Sequence, residues 1–229
     1  MTIRGSRWLA LGAVAGPLLL TLAWFVLGFV STGYSLWGTR IAPYSAISQP
    51  LSGLGLGPTS PLMNAAFIVS GLLIIVGAFG IFRQIPELDH RERWACTALL
   101  ALPGIGSVLD GVFTLESFFL HFVGFALALT TVVGFPISGL LLRRLPEWRP
   151  IGTALIVAGP LTLALAVLYF LTFTPTVEGV QTGVAGLTER ILVVELQAWY
   201  VALGWSALRG HLDRQAPRLY SRSRSIDAN

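Results

Sequence analysis

Six apolar runs, each long enough to cross a bilayer, leave this chain few folds to adopt. They cover approximately residues 8–30, 61–82, 95–114, 118–142, 151–173 and 187–208, close to the roughly 20 residues that span a hydrocarbon core. A backbone in lipid has to satisfy its own hydrogen bonds, so runs of this length are helices. Only 11% of the 229 residues are charged and the mean hydropathy is +0.74, against roughly 25% charged in soluble domains. The expected fold is all-α: a polytopic membrane protein with a six-helix transmembrane bundle over residues 1–208 and a basic cytoplasmic tail over residues 209–229.

All fifteen basic residues are arginine, which suggests the codon supply of a high-GC bacterial genome. Thirteen of them fall before the first run or after the second, fourth and sixth, in short segments; Arg40 and Arg190 are left for the opposite side. Under the positive-inside bias both termini lie in the cytoplasm, in a multi-pass protein of the cell membrane. The net charge of +4 is thus a topology signal. It does not indicate nucleic-acid binding, because the chain carries no basic domain. The lipid bilayer is the one partner that composition implies. The basic tail, expected to be disordered, would be drawn to anionic headgroups.

The first run is too long for the apolar region of a signal peptide, and no Ala-x-Ala site follows it, so it is expected to be retained. Its Gly12-Ala-Val-Ala-Gly16 lets a neighbouring helix approach closely. Residues 31–60 form the longest connection. Trp37, Ile41, Tyr44, Ile47, Leu51 and Leu54 recur there at roughly helical spacing, which predicts a short interfacial helix, then a glycine-rich turn, acting as a lid or as a plain connection. Residues 83–94 read as a solvated linker with His90 on the surface. Arg83-Gln-Ile-Pro-Glu87 is echoed by Arg143-Arg-Leu-Pro-Glu147, a weak internal repeat. Pro17, Pro103, Pro136 and Pro160 favour kinks. Cys96 is expected to be a buried structural thiol, and a single cysteine excludes a disulfide or a thiolate-cluster metal site.

Polar residues inside apolar runs mark sites, because ionisable groups at membrane depth are costly and usually face a bundle interior. Between residues 104 and 121 the chain places Ser107 and Asp110 three apart, on one helical face, then Glu116 and His121. His121, Gly124, Ala128 and Thr131 form one stripe. In the last run Thr188, Glu195, Ala202 and Ser206 form another, with Glu195 about 12 Å from the helix start at 1.5 Å per residue. Asp110, Glu116, His121 and Glu195 are then expected in the outer half of the bundle, with Asn64 and Arg190 at its rim. Glu178 and Glu189 are expected to be solvated loop and cap residues.

Three readings of this constellation are open. In the first, Asp110 or Glu195 pairs with Arg190 or His121, or stays protonated, and thereby locks helix packing. In the second, Asp110, Glu116, His121, Glu195, Asn64 and Arg190 bind a proton or a small or lipidic ligand, since acids and histidine build such sites. Or the chain is an intramembrane hydrolase, with His121 as base, Asp110 orienting it, and Ser52 or Ser107 as nucleophile, or with a metal activating water. One histidine and scattered acids make a poor metal signature. Bis-histidine haem is excluded because His90 and His211 map to the cytoplasmic side. The expectation is a non-enzymatic binding, transport or complex-supporting role with no metal and no cofactor.

Ser52-Gly-Leu-Gly55 ahead of the second run, Asn64 and Gly71 within it, and Gly111-Val-Phe113-Thr-Leu-Glu116 followed by His121 resemble domain-of-unknown-function family 998. The likeness extends over roughly residues 11–208 and implies six membrane helices. Glu116 stands where the family pattern has aspartate, and the gap to His121 is short. The resemblance names no substrate.

Overall fold

The computed structural model describes residues 8–177 and 179–226. Its helices are α1 (Gly12–Val30), α2 (Ser60–Arg83), α3 (His90–Val112), α4 (Phe118–Ala128), α5 (Thr131–Leu142), α6 (Arg149–Thr172) and α7 (Ala185–Ile226). Six helical segments are long and apolar enough to cross a membrane: Trp8–Val30, Gly57–Arg83, His90–Val112, Leu115–Leu142, Pro146–Thr172 and Ala185–Arg209. This is a multi-pass membrane protein. Each span packs on the next, and α7 returns to α1 and α2, closing the bundle.

Small residues set how closely the helices approach. A Cβ on Gly12 would lie 2.2 Å from the Leu73 carbonyl oxygen, and one on Gly16 would lie 2.7 Å from that of Ser70. The Gly12/Gly16 pair is therefore the seam between α1 and α2. Gly71 and Gly104 meet in the same way between α2 and α3, where a Cβ on Gly71 would come to 2.3 Å from the Gly104 oxygen. Such contacts replace the hydrophobic drive that lipid cannot supply.

The fourth span is two helices, not one. Leu129 and Thr130 form a turn between α4 and α5, where the Thr130 and Thr131 hydroxyls donate to the carbonyls of Leu127 and Ala128 at 2.7 and 3.0 Å. The third span starts earlier than its hydropathy suggests. Asp89 accepts from the Glu92 N–H at 2.7 Å while the Glu92 side chain accepts from the Asp89 N–H at 3.1 Å, a capping box that begins the helix at His90. The linker before it is only partly solvated: Ile85 and Leu88 are buried in the core with Cys96. Helix α7 runs on to Ile226, into the segment expected to be disordered.

Residues 31–60 contain no interfacial α-helix. Tyr34–Leu36 (β1) and Thr39–Ile41 (β2) form an antiparallel hairpin. Trp37 and Gly38, at φ 48° and 81°, make its two-residue turn, and that backbone suits the twist of paired strands. The helical spacing of the apolar residues misled because such spacing also fits a compact loop. Ile41, Leu51 and Leu54 are buried, while Trp37 and Ile47 are exposed. Short 3-10 turns at Leu51–Gly55 and Gly57–Thr59 lead into α2.

Candidate functional site

The loop is held by two adjacent residues of α7, Glu189 and Arg190. Arg190 is buried, and one terminal nitrogen donates to the carbonyls of Ala46, Gln49 and Gly186 at 2.8, 3.1 and 2.7 Å. The other bonds the Tyr44 hydroxyl. The guanidinium also lies over the Trp24 and Tyr44 rings, 5.5 and 5.9 Å from their centroids. Glu189 is equally buried, and its Oε2 accepts from the Leu51 N–H at 2.6 Å. Gly186 makes room for this contact, since a Cβ there would lie 2.2 Å from the Gln49 oxygen. Burial pushes the Tyr44 hydroxyl up to about 12, against the opposing pull of Arg190, so it is neutral when it meets the cation.

Glu189 was expected to be solvated, and this burial corrects that expectation. The run boundary hid it: a Glu-Arg pair beside an apolar run resembles a helix cap. The signal was the alternative stripe Glu189, Val193, Gln197 at i, i+4, i+8. Glu178 lies outside the described residues.

Below the loop lies a cavity of about 90 Å³, space for several waters. Its polar lining is Ser52, Ser107, Asp110, His121, Glu189 and Gln197, and its apolar lining includes Phe67, Phe125 and Leu196. Asp110 seats against α4 at Gly124, where a Cβ would lie 2.1 Å from its Oδ1. That oxygen is buried without a hydrogen-bond partner. His121 Nδ1 is 3.5 Å from it but donates to the Phe113 carbonyl at 2.8 Å. A proton on Nδ1 leaves Nε2 of the neutral ring as an acceptor. Ser107 donates to the Phe67 carbonyl at 2.8 Å. Gln197 accepts from the Thr21 hydroxyl of α1, a partnership that sequence reading missed.

The structure thus brings together Ser52, Ser107, Asp110 and His121, and adds Glu189 and Gln197. It separates the rest. Glu195 faces α6, accepting from Trp199 Nε1 at 2.6 Å and from the Thr162 hydroxyl at 3.0 Å. Glu116 is exposed in a 3-10 turn, and its carbonyl accepts from Trp37 Nε1 at 3.2 Å. Asn64 braces the loop by donating to the Gly55 carbonyl at 3.1 Å, and Arg190 is engaged as above. Neither Glu195 nor Arg190 lines the cavity; of the expected pairings of Asp110 or Glu195 with Arg190 or His121, the one that the structure brings within ion-pair distance is Asp110 with His121, at 3.5 Å. No group of three or more His, Cys, Asp or Glu side chains is placed to share a metal ion among the described residues.

The family described as "Protein of unknown function (DUF998)" matches residues 14–206. The chain belongs to this family. The match takes in four spans whole, most of the first and the last, and every cavity-lining residue, so the loop-covered cavity lies wholly within the DUF998 region. No curated protein and no solved structure matches the chain.

Proposed function

We propose that this DUF998 protein binds a small, hydrogen-bond-donating ligand in the cavity beneath the 31–60 loop, as a non-enzymatic receptor or carrier. The observation that carries this reading is Asp110 Oδ1, a buried carboxylate oxygen with no hydrogen bond, on a residue lining the cavity. Leaving such an oxygen unsatisfied costs on the order of 1–3 kcal/mol or more, and an arriving donor would offset that cost. Glu189, the bare Nε2 of His121 and Ser52 supply further acceptors, while among the described residues no arginine lines the space. The lining therefore favours a cationic donor such as an ammonium group over an anion. A volume of about 90 Å³ suits a small ligand better than a lipid chain. The arginine distribution supports placement in a bacterial cytoplasmic membrane with both termini inside and the cavity toward the outer face.

The test is native mass spectrometry of the detergent-purified protein, wild type beside Asp110→Asn. A small adduct present in the wild type and absent from the variant is expected; identical spectra would count against a ligand site at Asp110.

The hydrolase reading keeps one supporting observation, that Ser52 and His121 line the same cavity. Against it, Ser107 is committed to Phe67, and Asp110 is 3.5 Å from His121 Nδ1, beyond a good hydrogen bond. Hydrolysis requires an activity abolished by both His121→Ala and Ser52→Ala.

A further inference from the structure

A second concavity, of about 250 Å³, lies where α2 ends and α3 begins. It is lined by Phe79, Arg83, His90, Arg93, Trp94 and Thr97, and it shares no lining residue with the Asp110 cavity. Arg83 is the last residue of one span and His90 the first of the next, so the cleft sits at the membrane edge.

Its walls are ordered by depth. One helical turn inward from Arg83 is Phe79, whose ring lies 5.5 Å from the Arg83 guanidinium carbon. One turn inward from His90 is Trp94, 6.2 Å from it between ring centroids, and Trp94 in turn stands 6.1 Å from Phe79. Arg83 and His90 therefore stand at the membrane edge with Phe79 and Trp94 one turn deeper, and Arg93, next to Trp94 in sequence, adds a second guanidinium to the lining; Trp94 is 53% exposed. Aromatic side chains concentrate at headgroup depth because one end is apolar and the other wet.

Among the described residues neither Arg83 nor Arg93 forms an ion pair, and Arg93 Nε donates to the Asp89 carbonyl at 3.4 Å. Glu92, on the same helix turn, is taken up by the capping box and by Arg144 at 3.5 Å.

We propose that this cleft is a phospholipid site: Arg83 and Arg93 clasp the headgroup phosphate of an anionic lipid, and an acyl chain descends past Trp94 and Phe79. Guanidinium forks match phosphate oxygens in pairs. A free phosphate would fill the mouth and leave the aromatic wall bare, so the lipid is the better fit.

Native mass spectrometry of the full chain in detergent, with equal amounts of phosphatidylglycerol and phosphatidylcholine, tests this. Wild type and Arg91→Gln, a substitution outside the cleft, should retain phosphatidylglycerol preferentially. The double variant R83Q/R93Q should lose roughly tenfold or more of that preference, at about one kcal/mol per headgroup-facing arginine. Millimolar inorganic phosphate should not displace the lipid. Undiminished preference in R83Q/R93Q overturns the proposal, and so does displacement by inorganic phosphate, which would make the cleft a free-phosphate site. If the double variant fails to fold, R83Q and R93Q are read singly by the same criterion.

Discussion

The Leu51 N–H donates to Glu189 Oε2 at 2.6 Å, joining residues 138 apart in sequence. Next to it Arg190 gathers three carbonyls and the Tyr44 hydroxyl. One helical step of α7 thus fastens the 31–60 loop over the cavity, with the anion taking a main-chain donor and the cation taking main-chain acceptors. Glu189→Ala removes a charge-assisted bond from a buried N–H and should cost about 2–3 kcal/mol. Glu189→Gln, which still offers an acceptor, should cost less. Reversible unfolding in mixed micelles orders the two; equal losses would show that the Leu51 bond is not the determinant.

Gly124 gives Asp110 its seat. Gly124→Ala places a Cβ 2.1 Å from Oδ1 and 2.8 Å from the Gly106 carbonyl oxygen, so the carboxylate has to swing away and α4 has to ease slightly off α3. The variant should bind ligand as poorly as Asp110→Asn while keeping its helical circular dichroism. Wild-type binding in Gly124→Ala would remove Asp110 from the site.

Alkaline pH should loosen the loop. The Tyr44 hydroxyl is raised by burial from 10.0 to about 12, and burial raises Tyr34 as well. A raised folded value means that the stabilisation is complete below about pH 10 and is lost as pH climbs toward 12. The slope is at most about 1.4 kcal/mol per pH unit per group. Proteolysis between residues 31 and 60, followed from pH 9 to 11.5, should accelerate in that window, with a shallower dependence in Tyr44→Phe. A flat profile in the wild type would contradict the assignment.

Glu195 separates structure from site. Its carboxylate is held by Trp199 and Thr162 and does not line the cavity. Glu195→Gln should lower stability by about 1 kcal/mol and leave ligand affinity unchanged. A loss of affinity matching that of Asp110→Asn would place Glu195 in the site after all.

The spans were legible in the sequence because lipid imposes length and apolarity on every one of them, and the small-residue seam at Gly12 and Gly16 was legible from its spacing; the Gly71–Gly104 seam was not read from the sequence. Of the site, Ser107, Asp110 and His121 stood out as polar residues in apolar surroundings. Glu189 did not, since its burial is made by a loop arriving from residues 44–51 and no local pattern reports that. The hairpin at 34–41 hid for a related reason: a Trp-Gly turn with positive φ at both residues is not the Asn-Gly signal. That Glu195 faces α6 and not the cavity was not legible, because two stripes of α7 are polar and the positions of α1 and α6 decide which of them faces the cavity.

The most direct measurement is a methylammonium titration of the purified protein at constant ionic strength, with sodium as the exchanged cation and thermal unfolding as the readout. A saturable rise in Tm is expected for the wild type and for Glu195→Gln, and none for Asp110→Asn or Gly124→Ala. No rise in the wild type, or the same rise in all four proteins, would contradict an ammonium-type site at Asp110.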